Sequence, residues 1–292
     1  MVIGGGHPGY NDAEGISGGN AFRYLDASTY ASLKNSSEYA LAERSNAVDG
    51  GTALLARADL AVATGKKLFG LFGGPAGGFE LHKPGNDGSA TITRGSLENP
   101  TLADAARAAI KVLSGNKNGF FLMVEQGDID WSNHANNYSA MIGGVWDLDN
   151  AVRAIESCID QPGDDLGWDN TLVIVTSDHT NSYLRLKKDL AKGRLPSQSP
   201  VGPDAPRGYD GSVTYYYDPT ELSYGFDGKG MNSHTNELVT LYARGAGSQL
   251  FNDFEGLWYP GTRIVDNTQI FMVMIKALGL VDENRNKAAV TR

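Results

Sequence analysis

Residues Phe120–His134 have the sequence Phe-Phe-Leu-Met-Val-Glu-Gln-Gly-Asp-Ile-Asp-Trp-Ser-Asn-His, and this stretch decides the predicted fold. Its five apolar residues, Phe120–Val124, predict a fully buried strand. The chain then turns at Gly127, and a helical pattern runs from about Trp131 to about Ile159. Open α/β sheets bind their ligands where such a strand ends and a helix follows, and Glu125 stands at that end.

Asp130 and His134 follow within the same stretch, four residues apart. On a helix this spacing places both side chains on one face. A carboxylate oxygen and an imidazole nitrogen are a usual pair of zinc ligands. The alternative is a helix N-cap followed by a surface histidine, and for these two residues taken alone it is the simpler explanation.

Two further stretches repeat the pattern of an apolar run beside a carboxylate or a histidine. Thr171–His179 is a short β-branched run that ends on Asp178 and His179. His234 lies just before the apolar run Leu238–Ala243. A solvated turn after a strand would explain Asp178 and His179 without any ligand, but an Asp-His pair seldom follows a buried strand by chance.

The chain contains five histidines. Three of them stand at the ends of predicted buried elements, near Asp or Glu, and this coincidence favours a metal site. The other two, His7 and His82, lie in loops rich in glycine and proline, and we assign them no role.

Six short motifs occur in a fixed order along the chain. They are Val2–Gly6, Leu68–Phe72, Pro100–Leu102, Val124-Glu125 with Ile129-Asp130 and His134, Thr176–His179 and Ser233–Thr235. In order and spacing these motifs resemble the alkaline phosphatase family, and the similarity runs from about residue 2 to about residue 280. The resemblance implies an α/β fold, a sandwich with a mainly parallel central sheet flanked by helices.

The resemblance also implies a ligand set for three metal ions. The first zinc would be held by Asp130, His134 and His234, the second zinc by Asp178 and His179, and the magnesium by Glu125. Trp131 follows the aspartate where members of the family carry Lys, His or Trp. A tryptophan there implies that no side-chain cation assists the phosphate or the magnesium.

The implied activity is hydrolysis of phosphate monoesters by two zinc ions and a serine that becomes phosphorylated. Paired metals stabilise the attacking and the leaving oxygen, and a covalent intermediate divides one difficult step into two easier ones. The family's nucleophilic serine, bridging aspartate, magnesium-binding threonine and phosphate-binding arginine all precede the glycine landmark, which here is Gly4–Gly6. Asp87–Ala90 resembles a nucleophile motif but lies in a predicted loop. We therefore expect the chain alone to be inactive and to need an N-terminal segment for a complete site.

Two alternatives to a phosphate monoester hydrolase remain at this stage. One is another enzyme on the same scaffold, such as a phosphodiesterase, which shares the paired metals but differs in its nucleophile and pocket. The other is a metal-binding fragment without catalysis. The coding sequence upstream of Met1 would separate the enzyme from the fragment.

Composition restricts the partners of the chain. The 292 residues include 25 Lys and Arg against 34 Asp and Glu, so the formal charge is −9. This acidity argues against nucleic acid or anionic membranes as partners. No apolar run is long enough to span a membrane, and residues 1–20 do not resemble a signal peptide. The single cysteine, Cys158, is expected to be a small core residue. The family is mostly exported, so the resemblance implies a periplasmic or extracellular protein.

The domain prediction is one domain, 1–292, with an insertion at residues 180–233 that is rich in proline, glycine and aspartate. In the family an insertion here forms a crown over the site, often at a dimer interface, so a homodimer is an expected partner. Tyr215–Tyr217 within it would be interface or entrance residues, or equally the residues of an edge strand.

Local patterns predict the remaining elements. Strands are expected at Met1–Gly6, Lys67–Phe72 and Val239–Ala243, and helices at Thr29–Lys34, at Thr52–Thr64 and after Thr101. A long loop is expected at Gly73–Asn99. A last helix should begin at Asp266 or Asn267 and carry an apolar stripe of Phe271, Met274, Ile275 and Leu278. Alternation of strands and helices predicts an α/β fold with a mainly parallel sheet.

Overall fold

The computed structural model describes residues 1–10, 22, 24–74, 78–85, 91–161, 165–186, 215–217 and 234–280. Within these residues the chain forms two compact units. The first consists of Met1–Cys158 and His179–Glu237, and the second of Ile159–Asp178 and Leu238–Arg292. Among the described residues, no helix is both long and apolar enough to cross a membrane. The candidate loop nucleophile at Asp87–Ala90 lies outside the described residues, as does most of the expected insertion.

Eleven strands and six helices occur in the described residues. The strands are β1 Val2–Gly4, β2 Tyr39–Glu43, β3 Lys67–Leu71, β4 Lys83–Pro84, β5 Ile92–Thr93, β6 Leu172–Val175, β7 Thr180–Asn181, β8 Leu184–Leu186, β9 Tyr215–Tyr217, β10 His234–Thr235 and β11 Tyr242–Gly245. The helices are α1 Ala27–Lys34, α2 Gly50–Thr64, α3 Leu102–Leu113, α4 Asp128–His134, α5 Tyr138–Ile159 and α6 Asn267–Ala277.

The first unit is built on a parallel sheet in the order β1-β3-β2. β2 pairs with β3 in parallel, in the register of Leu41 with Phe69, and β1 pairs with β3 on its other side. The core under this sheet includes Leu54 of α2, Leu68 of β3 and Phe72, all fully buried. Burial of such apolar side chains is the main favourable term in folding. The α/β class and its parallel sheet are thus confirmed.

Helix starts in the structure follow local capping signals. The carboxylate of Asp26 accepts from the backbone N–H groups of Ser28 and Thr29 at the start of α1. Thr101 and Asp104 form a reciprocal capping box at the start of α3. Each cap satisfies backbone donors that a helix leaves unpaired in its first turn. The predicted start of α3 after Thr101 is confirmed, whereas α1 begins at Ala27, two residues before the predicted Thr29.

The second unit pairs β6 with β11 antiparallel, in the register of Ile174 with Ala243. The predicted strand Val239–Ala243 is therefore shifted, because the ladder covers Tyr242–Gly245. A 3₁₀ helix, Ser248–Asp253, follows.

The last helix, α6, belongs to the second unit and begins after the N-cap Asp266, as predicted. Its predicted apolar stripe is wrong in part. Val273 is its fully buried residue, whereas Phe271 and Leu278 are exposed. The predicted stripe follows the apolar residues alone, whereas burial depends on which face of the helix packs against another element.

The predicted buried strand Phe120–Val124 is wrong. In the described part of the chain this segment pairs with no strand. Phe121 is 65% exposed and Met123 is 75% exposed, while Phe120, Leu122 and Val124 are half-buried. Exposed and half-buried side chains therefore alternate along the segment. A pattern of five successive apolar residues could not predict this alternation.

Three further expectations are corrected. The single helix from Trp131 is two helices, α4 and α5, because Asn136 between them has φ +47°, a left-handed conformation that interrupts a helix. The loop Gly73–Asn99 contains the short antiparallel hairpin of β4 and β5. The strand β2 has no counterpart among the predicted elements, although it lies at one edge of the parallel sheet.

Candidate metal centre

The helix α4 carries two of the predicted ligands, Asp130 and His134. Asp130 lies in its first turn and His134 is its last residue. The distance between His134 Nε2 and Asp130 Oδ2 is 3.2 Å. The spacing of four residues therefore brings both groups to one face, as the sequence predicts for a helix. Both side chains are partly exposed.

A third predicted ligand, His234, comes from the strand β10. Its Nε2 lies 3.2 Å from the Nε2 of His134 and 3.3 Å from Asp130 Oδ1. Ligand atoms of the three side chains all lie within 4.8 Å of one another. The structure thus brings together residues that are 100 positions apart in the chain.

We call Asp130, His134 and His234 the metal cluster. Its donors, one carboxylate and two imidazole nitrogens, are a set that zinc prefers. Bonds of about 2.0–2.1 Å in a tetrahedron place neighbouring ligand atoms about 3.3 Å apart. The Nε2 atoms of His134 and His234 are 3.2 Å apart, which matches that edge. Asp130 approaches them with different oxygens, Oδ2 at 3.2 Å from His134 and Oδ1 at 3.3 Å from His234, and one ligand atom from each residue lies within 4.8 Å of the others. The donor types and their proximity are compatible with a zinc ion.

His179 stands beside the metal cluster. Its ring stacks on that of His234 with centroids 3.4 Å apart, and its Nε2 lies 4.0 Å from Asp130 Oδ1. Its Nδ1 lies 3.1 Å from the carbonyl of Thr180. If Nδ1 carries the proton and donates to that carbonyl, Nε2 is the unprotonated nitrogen, the form that can act as a metal ligand.

The other predicted ligands are not part of the metal cluster. Glu125 is exposed and precedes α4 by three residues. Asp178 is exposed and follows β6 in the second unit. The assignment of Glu125 to magnesium and of Asp178 to a second zinc stays a prediction. Trp131 is 70% exposed, and its ring lies 5.9 Å from that of His134.

The segment that leads into α4 is held by Gln126. Its amide donates to the carboxylate of Asp147 on α5 at 2.7 Å, and its Oε1 accepts from the backbone N–H of Asp128. Asp147 is buried, and its carboxylate lies 3.7 Å from His82 Nε2. Burial raises the pKa of Asp147, and the nearby His82 opposes that rise.

His82 and His7, which the sequence analysis gave no role, are both buried. His82 faces Asp147, and His7 Nε2 lies 3.3 Å from the carboxylate of Glu43. Both stand in stretches rich in glycine and proline, and each ring pairs with an acid, Asp147 on α5 or Glu43 on β2. Neither histidine belongs to the metal cluster.

Asn181 is a residue of the site that sequence reasoning missed. Its side-chain amide donates to Asp130 Oδ1 at 2.7 Å. It lies on β7, paired with His234 of β10 in an antiparallel ladder.

Comparisons with known proteins match these observations. The profile of the family described as "Alkaline phosphatase" matches residues 34–191, more than half of the chain. The alkaline phosphatase of Escherichia fergusonii is 34% identical over 181 residues, and alkaline phosphatase H of Pseudomonas aeruginosa is 33% identical over 183 residues. These matches cover 62% and 63% of this chain, and 32% of each relative. The aligned part of the chain thus spans about a third of these relatives.

Solved structures give the same fold. The alkaline phosphatase from the Antarctic bacterium TAB5 has a TM-score of 0.51 and 21% sequence identity, over 89% of this chain and 58% of that chain. A mutant of the TAB5 alkaline phosphatase with Mg bound in its M3 site has the same TM-score and 22% identity. At such identities the likeness shows the fold alone.

Proposed function

The chain belongs to the alkaline phosphatase family, and on that premise we propose that the protein is a metal-dependent hydrolase of phosphate monoesters. The observation that carries the proposal is the metal cluster, in which ligand atoms of Asp130, His134 and His234 lie within 4.8 Å of one another. Because the aligned part of the chain spans about a third of its curated relatives, the activity of the whole protein is part of the proposal.

The metal cluster would hold the first zinc, His179 with Asp178 the second, and Glu125 would contribute to a magnesium. When bound, such metals supply positive charge that stabilises the attacking and leaving oxygens of a phosphoryl transfer. The residues themselves would orient the metal ions and offset part of their charge. Asp130 offers one negative charge, and the histidines offer neutral nitrogens. With a net charge of −9, the chain would attract a phosphate dianion through the metals rather than through its own surface.

Trp131 adds a feature to the proposed site. Its exposed indole lies beside His134 and carries no charge. A lysine or histidine at this place would add a cation near the phosphate. We propose that binding of phosphate here depends on the metals without help from that position.

A zinc titration tests the metal site. We expect isothermal titration calorimetry of the metal-free chain to show one moderately tight zinc, one weaker zinc and no specific magnesium. His234→Ala removes one of three ligands from the first site and should weaken that zinc strongly. Asn236→Ala is the matched control, because Asn236 lies two residues away and accepts from the hydroxyl of Tyr183 instead.

Two results of this titration would contradict the proposal. Two equally tight zinc ions would mean that the ligands are wrongly divided between the sites. An unchanged first affinity in His234→Ala would exclude the metal cluster as the zinc site.

Phosphate binding tests the substrate class. The zinc-loaded chain should bind inorganic phosphate in calorimetry, and the zinc-free chain should not. No residue of this sequence matches the family's nucleophilic serine, so we expect p-nitrophenyl phosphate turnover by the 292 residues to stay near background. Robust turnover would overturn that expectation about the nucleophile. Turnover of bis(p-nitrophenyl) phosphate alone would favour a phosphodiesterase, and failure of the zinc-loaded chain to bind phosphate would favour a metal-binding protein without catalysis.

Export to the periplasm or the extracellular space, and assembly as a homodimer, also belong to the proposal. Both rest on family membership. Sedimentation of the purified chain tests the dimer, which should exchange with monomer as the concentration falls. A monomer at all concentrations would remove this part of the proposal.

A further inference from the structure

We propose that Asn181 is a positioning residue that sets the orientation of the Asp130 carboxylate for metal binding. The proposal rests on the zinc site proposed above. The Asn181 amide donates to Asp130 Oδ1 at 2.7 Å and lies 3.3 Å from the backbone carbonyl oxygen of the same residue. Asn181 thereby holds both the side chain and the backbone of one residue of the metal cluster.

The orientation of the Asn181 amide is itself fixed. Its Oδ1 lies 2.7 Å from the hydroxyl of Ser182, which can donate to it or to the carbonyl of Asn133 at 2.9 Å. Rotating the amide by half a turn would place its carbonyl oxygen against the Asp130 carboxylate, and two acceptors repel. The Nδ2 group therefore faces Asp130.

The ladder of β7 with β10 places Asn181 where it can act on two ligands at once. Asn181 pairs directly with His234, and Thr180 pairs with Thr235. The hydroxyls of Thr180 and Thr235 also hydrogen-bond across the ladder. The same short ladder thus carries His234 and the donor that orients Asp130, so the two ligands are positioned together.

The hydrogen bond from Asn181 gives the two oxygens of the Asp130 carboxylate different partners. Oδ1 receives the amide hydrogen and lies 3.3 Å from His234, while Oδ2 lies 3.2 Å from His134. A carboxylate without this donor can rotate about its terminal bond. Partners of this kind hold a ligand in place before the metal arrives, and their loss typically weakens metal affinity about 10–100-fold.

The experiment compares zinc affinity in four versions of the chain: wild type, Asn181→Ala, Asn181→Leu and Asn236→Ala. Leucine keeps the approximate size of asparagine but donates no hydrogen bond, so it separates the donor from the volume. Both variants at Asn181 should bind the first zinc about 10–100-fold more weakly. Asn236→Ala, whose side chain contacts Tyr183, should bind as wild type does.

Cobalt(II) provides a readout that a merely structural asparagine would not move. Co²⁺ in place of zinc reports ligand geometry through its visible absorption. We expect the spectrum to change in both Asn181 variants, while circular dichroism of the metal-free chains stays like that of wild type. Ser182→Ala, which leaves Asn181 in place, should weaken zinc binding by a smaller factor. This variant provides the test if an Asn181 variant fails to fold.

Wild-type affinity and a wild-type cobalt spectrum in Asn181→Leu would overturn the inference. Wild-type behaviour of Ser182→Ala would do the same if the Asn181 variants do not fold. Failure of the wild-type chain to bind zinc is a different result, because it would overturn the proposed metal site itself.

Discussion

Two regions of the first unit are held together by different forces. In the parallel sheet, Leu68 of β3 and Phe72 are fully buried against Leu54 of α2. Around the metal cluster, Trp131 is 70% exposed and the side chain of His234 is 44% exposed, and the contacts between elements are polar. The sheet region is therefore stabilised by apolar burial, while the geometry of the cluster depends on hydrogen bonds and, as proposed, on a bound ion.

Helix ends show the same contrast. α3, in the sheet region, has the capping box of Thr101 and Asp104. α4, which carries two cluster residues, has Gly127 as its N-cap, which has no side chain to accept from the helix, and the backbone N–H of Asp128 at this start donates to the side chain of Gln126. α4 is only seven residues long. Isolated helices of that length are unstable in water, so α4 depends on tertiary contacts such as the one from Asn181.

The largest expected difference between the regions comes from two phenylalanines. Phe72→Ala should lower the free energy of unfolding by about 3–5 kcal/mol, because it leaves a cavity in the core. Phe121→Ala should change it by less than about 0.5 kcal/mol, because this side chain is 65% exposed. Urea unfolding followed by circular dichroism measures both. Equal losses would show that Phe121 is buried in solution.

Zinc should stabilise one region more than the other. At about 100 times its dissociation constant, zinc is expected to raise the free energy of unfolding by about 2.7 kcal/mol. Local hydrogen exchange should slow in α4, β7 and β10, with a smaller change in β3. In His234→Ala, zinc should no longer raise the free energy of unfolding by this amount. Uniform slowing across both regions, or an increment that survives in His234→Ala, would mean that the ion binds elsewhere.

Acid should weaken the sheet region through Glu43 at the end of β2. The pKa of Glu43 is lowered to about 2, from a usual value of 4.5, chiefly by the hydrogen bond from His7. Burial opposes this lowering of the pKa, and hydrogen bonds from Tyr30 and Lys34 contribute to it. A lowered folded pKa gives stability that is present above pH 4.5 and is lost as the pH falls towards 2. Glu43→Gln should cost about 2 kcal/mol at pH 7, a value discounted for partial exposure, and flatten the acid limb.

The control for Glu43 is Glu38→Gln, because the side chain of Glu38 is 72% exposed. It should leave both the stability and its pH dependence near wild type. Chemical unfolding at several pH values between 2 and 7 provides the measurement. An acid limb that keeps its slope in Glu43→Gln would assign the pH dependence to other carboxylates.

The smallest expected effect is loss of a cap. Thr101→Ala removes the hydroxyl that accepts from the Asp104 N–H and should cost about 1 kcal/mol. Thr64→Ala is the control, since its exposed hydroxyl bonds only to the preceding turn of α2. Thermal unfolding checks both variants. A loss in Thr64→Ala as large as that in Thr101→Ala would show that the cap adds nothing.

Elements with local signals were predictable, and elements that depend on a partner were not. The starts of α3 and α6 follow from Thr101 and Asp266, because a cap acts within one turn. The strand Phe120–Val124 failed, since burial requires another segment to cover it. The break at Asn136 was also missed, although asparagine adopts the left-handed conformation more readily than most residues and φ here is +47°.

The sequence by itself determined the chemical types of the metal cluster, since a carboxylate and a histidine four residues apart on a helix must share a face. No local pattern places His234 beside them across 100 positions, which only the family resemblance implied, or shows that Asn181 donates to Asp130. Nor could it show that His82 faces a buried Asp147 instead of solvent. Only the tertiary structure decided these contacts, because hydrogen bonds and metal ligation depend on distances of about 3 Å between groups that no local pattern connects.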